Sequence, residues 1–353
     1  MTSAPASADD AHPRARRVTA ADVAKLAGCS QAAVSLWVTG KYEGRLTPEW
    51  QKAIASAIDE LGYVPNKAAR SLVSRTVRSV ALVFPGSSYS FLGPVLEGVT
   101  VALGPGWDIA VHDSRPGSAE ASSRKVMADA VGADTSGMIV ASPSQADLDA
   151  VSALGFRRVV VVDAPLGLEY GSLVSFDLDE SIEDLARELV GYGHERVGYV
   201  SFAAPSLTLA HRRERLQAAL GGFGASLVDA DVSVTSTDIE SVDAAVRRQW
   251  PTWQSLGVTA VVCADDRHVY GVLSAARGLD LSIPGDFSLA AFNDSEPADY
   301  LEPRLSSIRL PAMELGSAAA AALAGRVASD APSRSLVPTR YIPRASTGPA
   351  PRR

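Results

Sequence analysis

The sequence predicts two structural classes in one chain: a small all-α helix-turn-helix head and a large α/β body with parallel sheets. Three observations lead to this prediction. Residues 18–64 carry the start and stop signals of three short helices. From Ser79 onward, short apolar runs alternate with amphipathic stretches, the pattern of parallel strands and their crossover helices. The charge also divides, since residues 1–78 hold 11 Lys/Arg against 7 Asp/Glu, whereas the remainder holds 22 against 33.

Length and composition are those of a globular protein with more than one domain. The chain has 353 residues, of which 46% are hydrophobic and 21% charged, and this length predicts two or three domains. Cys29 and Cys263 are far apart and have no ligand-like neighbours, which argues against a disulfide framework or a zinc site. The N-terminus lacks a signal-peptide core and no apolar run approaches about 18 residues, so we expect a cytoplasmic protein without a membrane span.

The first two helices of the head carry the signals of a helix-turn-helix. Thr19 and Asp22 form a capping-box-like start, and Gly28 ends the first helix because it adopts the left-handed conformation without steric cost. Ser30 then caps a second helix over residues 31–38. The apolar face of the first helix is predicted to consist of Val23, Leu26 and Ala27.

The second helix is the predicted reader of DNA. Its N-terminus and outer face are expected to present Gln31, Ala32, Ser35 and Leu36. Short side chains placed in this way reach base edges when a helix enters the major groove N-terminus first, and the hydroxyls of Ser30, Ser35 and Thr39 would contact phosphates. The alternative is an ordinary helical bundle with no DNA function.

A third helix begins with unusually complete signals. Thr47 is an N-cap, Pro48 occupies the first helical position and Glu49 adds an acid in the first turn, while Gly62 stops the helix. The predicted buried face consists of Trp50, Ile54, Ala57, Ile58 and Leu61.

The order of these motifs is specific. DVAKLAG is followed by S-x-x-x-V-S, by the helix that starts at T-P-E, and by ELGYVPNKAARSL. This order closely resembles the DNA-binding head and hinge of the LacI/GalR family of bacterial transcriptional regulators. The resemblance implies binding to double-stranded operator DNA, by a head whose hinge helix forms on the operator and pairs with its copy in a second subunit.

Three hinge residues take roles from this resemblance. Asn66 would start the hinge helix, Ala69 would face its twin, and Leu72 would be wedged into the minor groove at the dyad. An apolar wedge of this kind kinks DNA at an easily unstacked step. The alternative is that Leu72 begins the core of the next domain.

The body resembles the same family over its full length. The matching segments are GHERVGYVS, VVCADDRHVYG with IPGDFSLAAFND, YLEPRLSSIRLP and RYIPRASTGP. The resemblance implies the fold of periplasmic sugar-binding proteins, in which two α/β subdomains close on a ligand by hinge motion. The predicted domains are a disordered arm (1–17), the helix-turn-helix domain (18–64), a hinge helix and linker (65–78), an N-subdomain (79–175 plus 310–332), a C-subdomain (176–309 plus 333–345) and a tail (346–353).

The cleft between the subdomains is the predicted site of a small effector, most simply a carbohydrate. By the family's pattern the candidates are Ser88, Phe91, Asp163, Arg212, Asp266 and Asn293. Structural alternatives exist: Asp266 and Asn293 could cap the elements that follow them, and Arg212 could pair with the acidic surface. Arg215 is the alternative in the arginine register.

Several positions depart from the family's usual pattern. Tyr89-Ser90-Phe91 stands where Asn-Pro usually precedes the Phe, and Asn293 replaces the usual Asp, which removes a charge from the expected sugar clamp. Leu36 occupies a position often held by Arg or His. We therefore expect an effector and an operator that differ from the family's common ones.

An enzymatic function is not expected. The sequence has no GxGxxG after the first strand, no Walker A, HExxH or GxSxG motif, and its five histidines are scattered. The prediction is therefore a homodimeric regulator, most simply a repressor, without cofactor or metal. The alternatives are a sugar-binding protein without DNA function and a regulator that lacks a small-molecule effector.

Overall fold

The computed structural model describes residues 18–38, 40, 42–63, 78–85, 89–114, 120–132, 135–168, 171–203, 206–228, 231–234, 238–329 and 332–352. The chain divides into two compact units, residues 1–77 and residues 78–353. The predicted arm, the phosphate contact Thr39, the hinge residues Asn66, Ala69 and Leu72, and the cleft candidate Ser88 lie outside the described residues.

The head consists of three helices, α1 (Ala20–Ala27), α2 (Gln31–Val38) and α3 (Pro48–Leu61). Their predicted caps are confirmed: Thr19 and Asp22 form a capping box, Thr47 caps α3, and Gly28 and Gly62 end α1 and α3 in the left-handed conformation. The three helices enclose a small core. Its buried members are Val23, Ala24, Val34, Ile54 and Ala57.

Two apolar predictions for the head are wrong. Leu26 on α1 is 46% exposed and Trp50 on α3 is 38% exposed. Because the buried part of α3 begins at Ile54, its first turn extends past the core that α1 and α2 can cover. With so few residues, the head buries only the centre of each apolar face.

The body contains two mainly parallel sheets. The first has the strand order β12-β5-β4-β3-β1-β2, and the second has the order β13-β11-β10-β9-β6-β7, with β8 paired to β6. Strand β13 is antiparallel to β11. The strands are β1 (Arg78–Phe84), β2 (Trp107–Asp113), β3 (Thr135–Ala141), β4 (Val159–Val162), β5 (Ser172–Asp177), β6 (Arg196–Phe202), β7 (Ser226–Leu227), β8 (Val232–Val234), β9 (Ala260–Cys263), β10 (Ser288–Asn293), β11 (Ser306–Arg309), β12 (Arg334–Pro338) and β13 (Arg340–Ile342).

Helices cover these sheets, and central strands such as β4 are therefore buried on both faces. The helices are α4 (Tyr89–Leu103), α5 (Glu120–Ala130), α6 (Gln145–Ala153), α7 (Asp179–Gly191), α8 (Leu207–Gly222), α9 (Ile239–Leu256), α10 (Asp266–Gly278) and α11 (Ala312–Ser329), with a 3₁₀ turn at Glu296–Asp299.

The chain passes between the subdomains three times, as predicted, but two of the three passages lie at other positions. Strand β5 belongs wholly to the first sheet, so the predicted boundary after residue 175 falls inside a strand. Strand β12 pairs with β5, which corrects the assignment of 333–345 to the C-subdomain. The predicted tail is also wrong at its start, because the backbone of Ser346 accepts a hydrogen bond from Leu289 at 2.8 Å. The segment after β13 thus completes the second subdomain.

Helices α4 and α11 pack closely beside the first sheet through glycine. A Cβ on Gly98 would lie 2.0 Å from the carbonyl oxygen of Met313, and one on Gly316 would lie 2.1 Å from that of Val95. The two backbones can therefore approach only because these positions lack a side chain. This contact fixes α4, the helix that carries Phe91, against α11, the helix that follows β11.

Candidate functional sites

The turn between α1 and α2 positions the predicted DNA-reading helix. Gly28 has φ 69° and donates to the carbonyl of Ala24, and the Oγ of Ser30 accepts a hydrogen bond from the Ala33 amide at 3.2 Å. These contacts end α1 and start α2 within three residues. Val34 is fully buried, so the rotation of α2 about its axis is set by the head core.

That rotation exposes the predicted outer face. Gln31 and Ala32 are exposed, and Ser35 and Leu36 are partly exposed. An aromatic contact that sequence reasoning missed lies at the other end of the helix, where the rings of Trp37 and Tyr42 have centroids 4.5 Å apart. Trp37 and Tyr42 are close in the sequence, and this short separation was the signal from which their contact could have been predicted.

A cavity of about 640 Å³ lies in the body where predicted cleft residues meet. Its wall includes Phe91 from α4, Asp266 from the start of α10 and Asn293 from the end of β10. Residues 309–314, which run from the end of β11 into the first turn of α11, also line it. Three candidates that are distant in sequence thus border one space.

Arg212 and Asp163 lie beside this wall rather than in it. The Nη2 of Arg212 donates to the Oδ2 of Asp163 at 3.1 Å, and the Nη1 donates to the Oδ1 of Asn293 at 3.4 Å. Nη1 also donates to the carbonyl of Ala264 at 3.2 Å, and the guanidinium lies 5.4 Å from the ring centroid of Phe292. Arg212 therefore links the first subdomain to a residue of the cavity wall.

Arg212 and Arg215 differ in burial and in their partners. Arg212 has a side chain that is 5% exposed, whereas Arg215 pairs on the surface with Asp179 at 2.5 Å and is 39% exposed. The Nε of Arg212 is buried and has no hydrogen-bond partner among the described residues.

Asp266 is the titratable group of the wall. Its Oδ2 accepts a hydrogen bond from the Ser295 amide at 2.9 Å, while the preceding Asp265 caps α10 by accepting from the Arg267 amide at 2.8 Å. The two carboxylates therefore have different roles. Burial, and next the charge of Asp265, raise the pKa of Asp266 to about 6.

Phe91 offers less surface than an aromatic platform would need. It is only 8% exposed, because its ring packs within the first subdomain, with centroids 6.5 Å from Phe84 and 6.0 Å from Phe176. Little of the ring surface is therefore available to the cavity. Asn293 has φ 97°, a left-handed conformation that asparagine tolerates better than most residues.

An ion-pair network that includes two residues of the cavity wall, Asp294 and Arg309, was not predicted. Asp294 follows Asn293 directly, and its buried carboxylate pairs with Arg309 at 2.7 Å and with Arg344 at 2.5 Å. Arg344 also pairs with Asp299 at 2.7 Å. The partners are 15 and 50 residues from Asp294 in the sequence, so no local signal connects them. Through Arg309 the network joins the end of β10 to β11, and through Arg344 it joins the end of β10 to the segment after β13.

The described residues contain neither a metal-ligand cluster nor a membrane-spanning helix. Among them, no group of three or more His, Cys, Asp or Glu side chains is arranged to hold a metal ion. Within the same described ranges, none of the helices combines the length and apolarity that crossing a membrane requires.

Two family models match the chain. The model described as bacterial regulatory proteins of the lacI family matches residues 19–66, and the periplasmic binding protein-like domain matches residues 186–347. The chain belongs to the LacI/GalR family. It is therefore a DNA-binding transcriptional regulator, of a family whose members are not enzymes.

Relatives of this LacI/GalR-family regulator match along nearly its whole length. The HTH-type transcriptional regulator CelR of Thermobifida fusca is 28% identical over 344 residues, which cover 94% of this chain and 99% of CelR. The maltose regulon regulatory protein MalI of Escherichia coli (strain K12) is 28% identical and covers 93% of this chain, with 98% of MalI matched.

Solved structures show the same fold. A complex of the transcriptional regulator CelR with cellobiose has a TM-score of 0.67 at 25% identity and covers 94% of this regulator and 100% of that chain. The lac repressor dimer bound to operator and the anti-inducer ONPF has a TM-score of 0.75 at 18% identity, with the same coverage. The predicted arrangement of a helix-turn-helix head and a periplasmic-binding-protein-like body is thereby confirmed.

Proposed function

We propose that this regulator binds double-stranded operator DNA as a homodimer and represses transcription, and that a small carbohydrate in the cavity alters its operator affinity. The observation that carries the proposal is the 640 Å³ cavity bordered by Phe91 of the first subdomain and by Asp266 and Asn293 of the second. A ligand that contacts both subdomains stabilises one relative arrangement of them over another. Coupling between the ligand site and the DNA-binding site requires this difference in stability between the two arrangements.

The chemistry of the wall supports a polyhydroxylated ligand. An ionised Asp266 accepts hydrogen bonds, the amide of Asn293 both donates and accepts, and Arg212 donates to the Oδ1 of Asn293 from beside the wall. Leu310 and Pro311 add apolar surface. The relative CelR has been solved with the disaccharide cellobiose, which supports a carbohydrate here.

On the DNA side we propose roles that follow the family resemblance. Gln31, Ala32 and Leu36 face base edges, while Thr19, Ser30, Ser35 and Thr39 contact phosphates. Asn66, Ala69 and Leu72 form the part of the hinge that responds to the body. The site of action is the cytoplasm, where the chromosomal operator lies.

The effector is tested by thermal-shift screening of mono- and disaccharides with the full-length protein. A binding sugar is expected to raise the midpoint of the wild type and to change operator affinity, and Asp266→Ala should abolish both effects. Glu214→Ala, an exposed carboxylate on α8, is the charge-matched control and should keep them. A sugar whose shift survives Asp266→Ala removes Asp266 from the site, and a panel without any hit favours a regulator that lacks a carbohydrate effector.

The DNA role is tested by the salt dependence of operator binding. If about six phosphates are neutralised, affinity should fall on the order of 10³-fold between 50 and 200 mM salt. Leu72→Ala should reduce specific binding far more than binding to random duplex, because a wedge acts only at the dyad. A salt-independent affinity, or equal losses on both duplexes, contradicts these roles.

A further inference from the structure

The eight residues of α2 divide into two faces. Ala33, Val34, Trp37 and Val38 pack into the head core. The other four, Gln31, Ala32, Ser35 and Leu36, are absent from that core and are exposed or partly exposed. Their spacing of one, four and five residues puts them on one stripe of a helix. This stripe, the reading face, is the part of α2 that a major groove can contact.

The reading face carries no charge. Helix α2 has the sequence QAAVSLWV and contains neither Lys nor Arg. The cations of the described head lie on other segments and are exposed: Lys25 on α1, Arg45 before α3 and Lys52 on α3. Attraction to phosphates is thus available around the reading face but absent from it, and base contacts must be made by an amide, a hydroxyl and two apolar side chains.

Each base presents a different set of donors, acceptors and apolar groups in the major groove, and these groups determine which bases the reading face can bind. Guanine presents two acceptors, N7 and O6, and pairs best with Arg or Lys. Adenine presents an acceptor and a donor, which matches the amide of Gln, and thymine presents a methyl group that matches an apolar side chain. Ser35 discriminates little, because a hydroxyl both donates and accepts.

We propose that α2 reads A·T base pairs: Gln31 binds an adenine edge, and Leu36 with Ala32 contacts thymine methyl groups. This inference rests on the DNA-binding role of the head and names the class of sequence that it selects. In the half-site that α2 contacts, guanine edges therefore contribute little to the binding free energy.

The test begins with enrichment of full-length protein on random duplexes, followed by base replacement in the selected site. Replacing thymine by uracil removes only the methyl group. At one or more positions in each half-site this should weaken binding about fourfold, the effect of one buried methyl-sized group. Replacing guanine by 7-deazaguanine under α2 should change binding less than twofold.

Variants assign the effect to residues. In Leu36→Ala the uracil penalty should disappear at one position, whereas in Leu26→Ala, which truncates a leucine of the same head that is 46% exposed, it should remain. Leu36→Arg should fold, because the position lies outside the core, and should select G·C at that position.

Three results overturn the proposal: a uracil penalty that is unchanged in Leu36→Ala, a larger penalty for 7-deazaguanine than for uracil, or an unaltered selected sequence for Leu36→Arg. Failure to enrich any duplex is a different result. It would contradict sequence-specific DNA binding itself and hence the proposed function.

Discussion

The guanidinium of Arg212, on a helix of the second subdomain, donates a 3.1 Å hydrogen bond to the carboxylate of Asp163, which follows a strand of the first subdomain. Both side chains are at most 6% exposed. The Oδ2 of Asp163 also accepts from Ser142 at 2.9 Å, so the carboxylate is held on its own side. Relative movement of the subdomains must therefore break or rearrange a buried charge pair adjacent to the cavity.

Removing one member of this pair should destabilise the protein strongly. Arg212→Met leaves Asp163 buried without its counterion, which costs about 3–5 kcal/mol. Urea unfolding followed by circular dichroism measures the change. Arg215→Met is the matched control, because the Arg215–Asp179 pair is exposed and should contribute about 0–1 kcal/mol. Similar losses for both variants would show that Arg212 does not form a buried pair in solution.

Asp266 should make stability fall as the pH rises. Its pKa of about 6 lies above the ordinary value near 3.9, so the folded state favours the protonated form. That contribution is present below about pH 4 and is lost as the pH rises through 6. Asp266→Asn mimics the protonated side chain and should be more stable than wild type at pH 7 but nearly equal at pH 4. A difference that is constant across pH contradicts the assignment.

His268 should have the opposite effect. It is fully buried, neither ring nitrogen has a hydrogen-bond partner among the described residues, and burial lowers its pKa to about 4. The folded state therefore holds the neutral ring, and stability is lost as the pH falls from about 6.5 towards 4. His268→Leu should reduce this loss in urea titrations at pH 4.5 and 7.5.

Part of the acid sensitivity should remain in that variant. Burial also lowers the pKa of His194, whose ring contacts Thr259, Ser288 and Gly348 at 2.9 to 3.0 Å. An acid response identical to that of the wild type would mean that His268 is hydrated or paired in solution.

The glycine contact between α4 and α11 should be intolerant of a methyl group. Gly98→Ala places a Cβ against backbone, which cannot move as a side chain can, and should cost about 1–3 kcal/mol or more. Gly93→Ala on the same helix meets nothing within 4 Å and should stabilise by up to about 1 kcal/mol through helix propensity. Thermal unfolding of the two variants should move in opposite directions.

Local signals predicted much of the fold. The caps at Thr19, Thr47 and Gly62 lie where the sequence puts them, since capping depends on neighbours within four residues. Strand β4 likewise consists of a continuous apolar run, Val159–Val162, and all four residues are buried. Two prolines lie inside helices: α4 starts before Pro94 and α9 continues through Pro251, although proline usually marks a boundary.

Other elements lacked a local signal. Helix α11 is rich in alanine and contains glycine, so it shows little polar–apolar alternation, and its Gly316 serves the contact with α4. Strand β12 follows an 18-residue helix but pairs with β5, over 150 residues earlier. Pairing at such a separation depends on the whole sheet and not on the strand's own pattern.

The candidate site divides in the same way. The family resemblance predicted that Phe91, Asp266 and Asn293 lie at one cleft, and in the structure all three line the same cavity. The direct bond between Arg212 and Asp163 and the Asp294 network depend on side-chain geometry across subdomains. Residue identity alone does not specify which of several arginines and aspartates will meet.

Strands β12 and β13 have a consequence for how the protein is made. They complete the first and second sheets, and both come from residues 334–342. During translation the N-terminal domain folds first, so the three head helices can form long before either sheet has its final strand. A nascent chain therefore carries a formed DNA-reading head while the body that is to govern it is still incomplete on the ribosome.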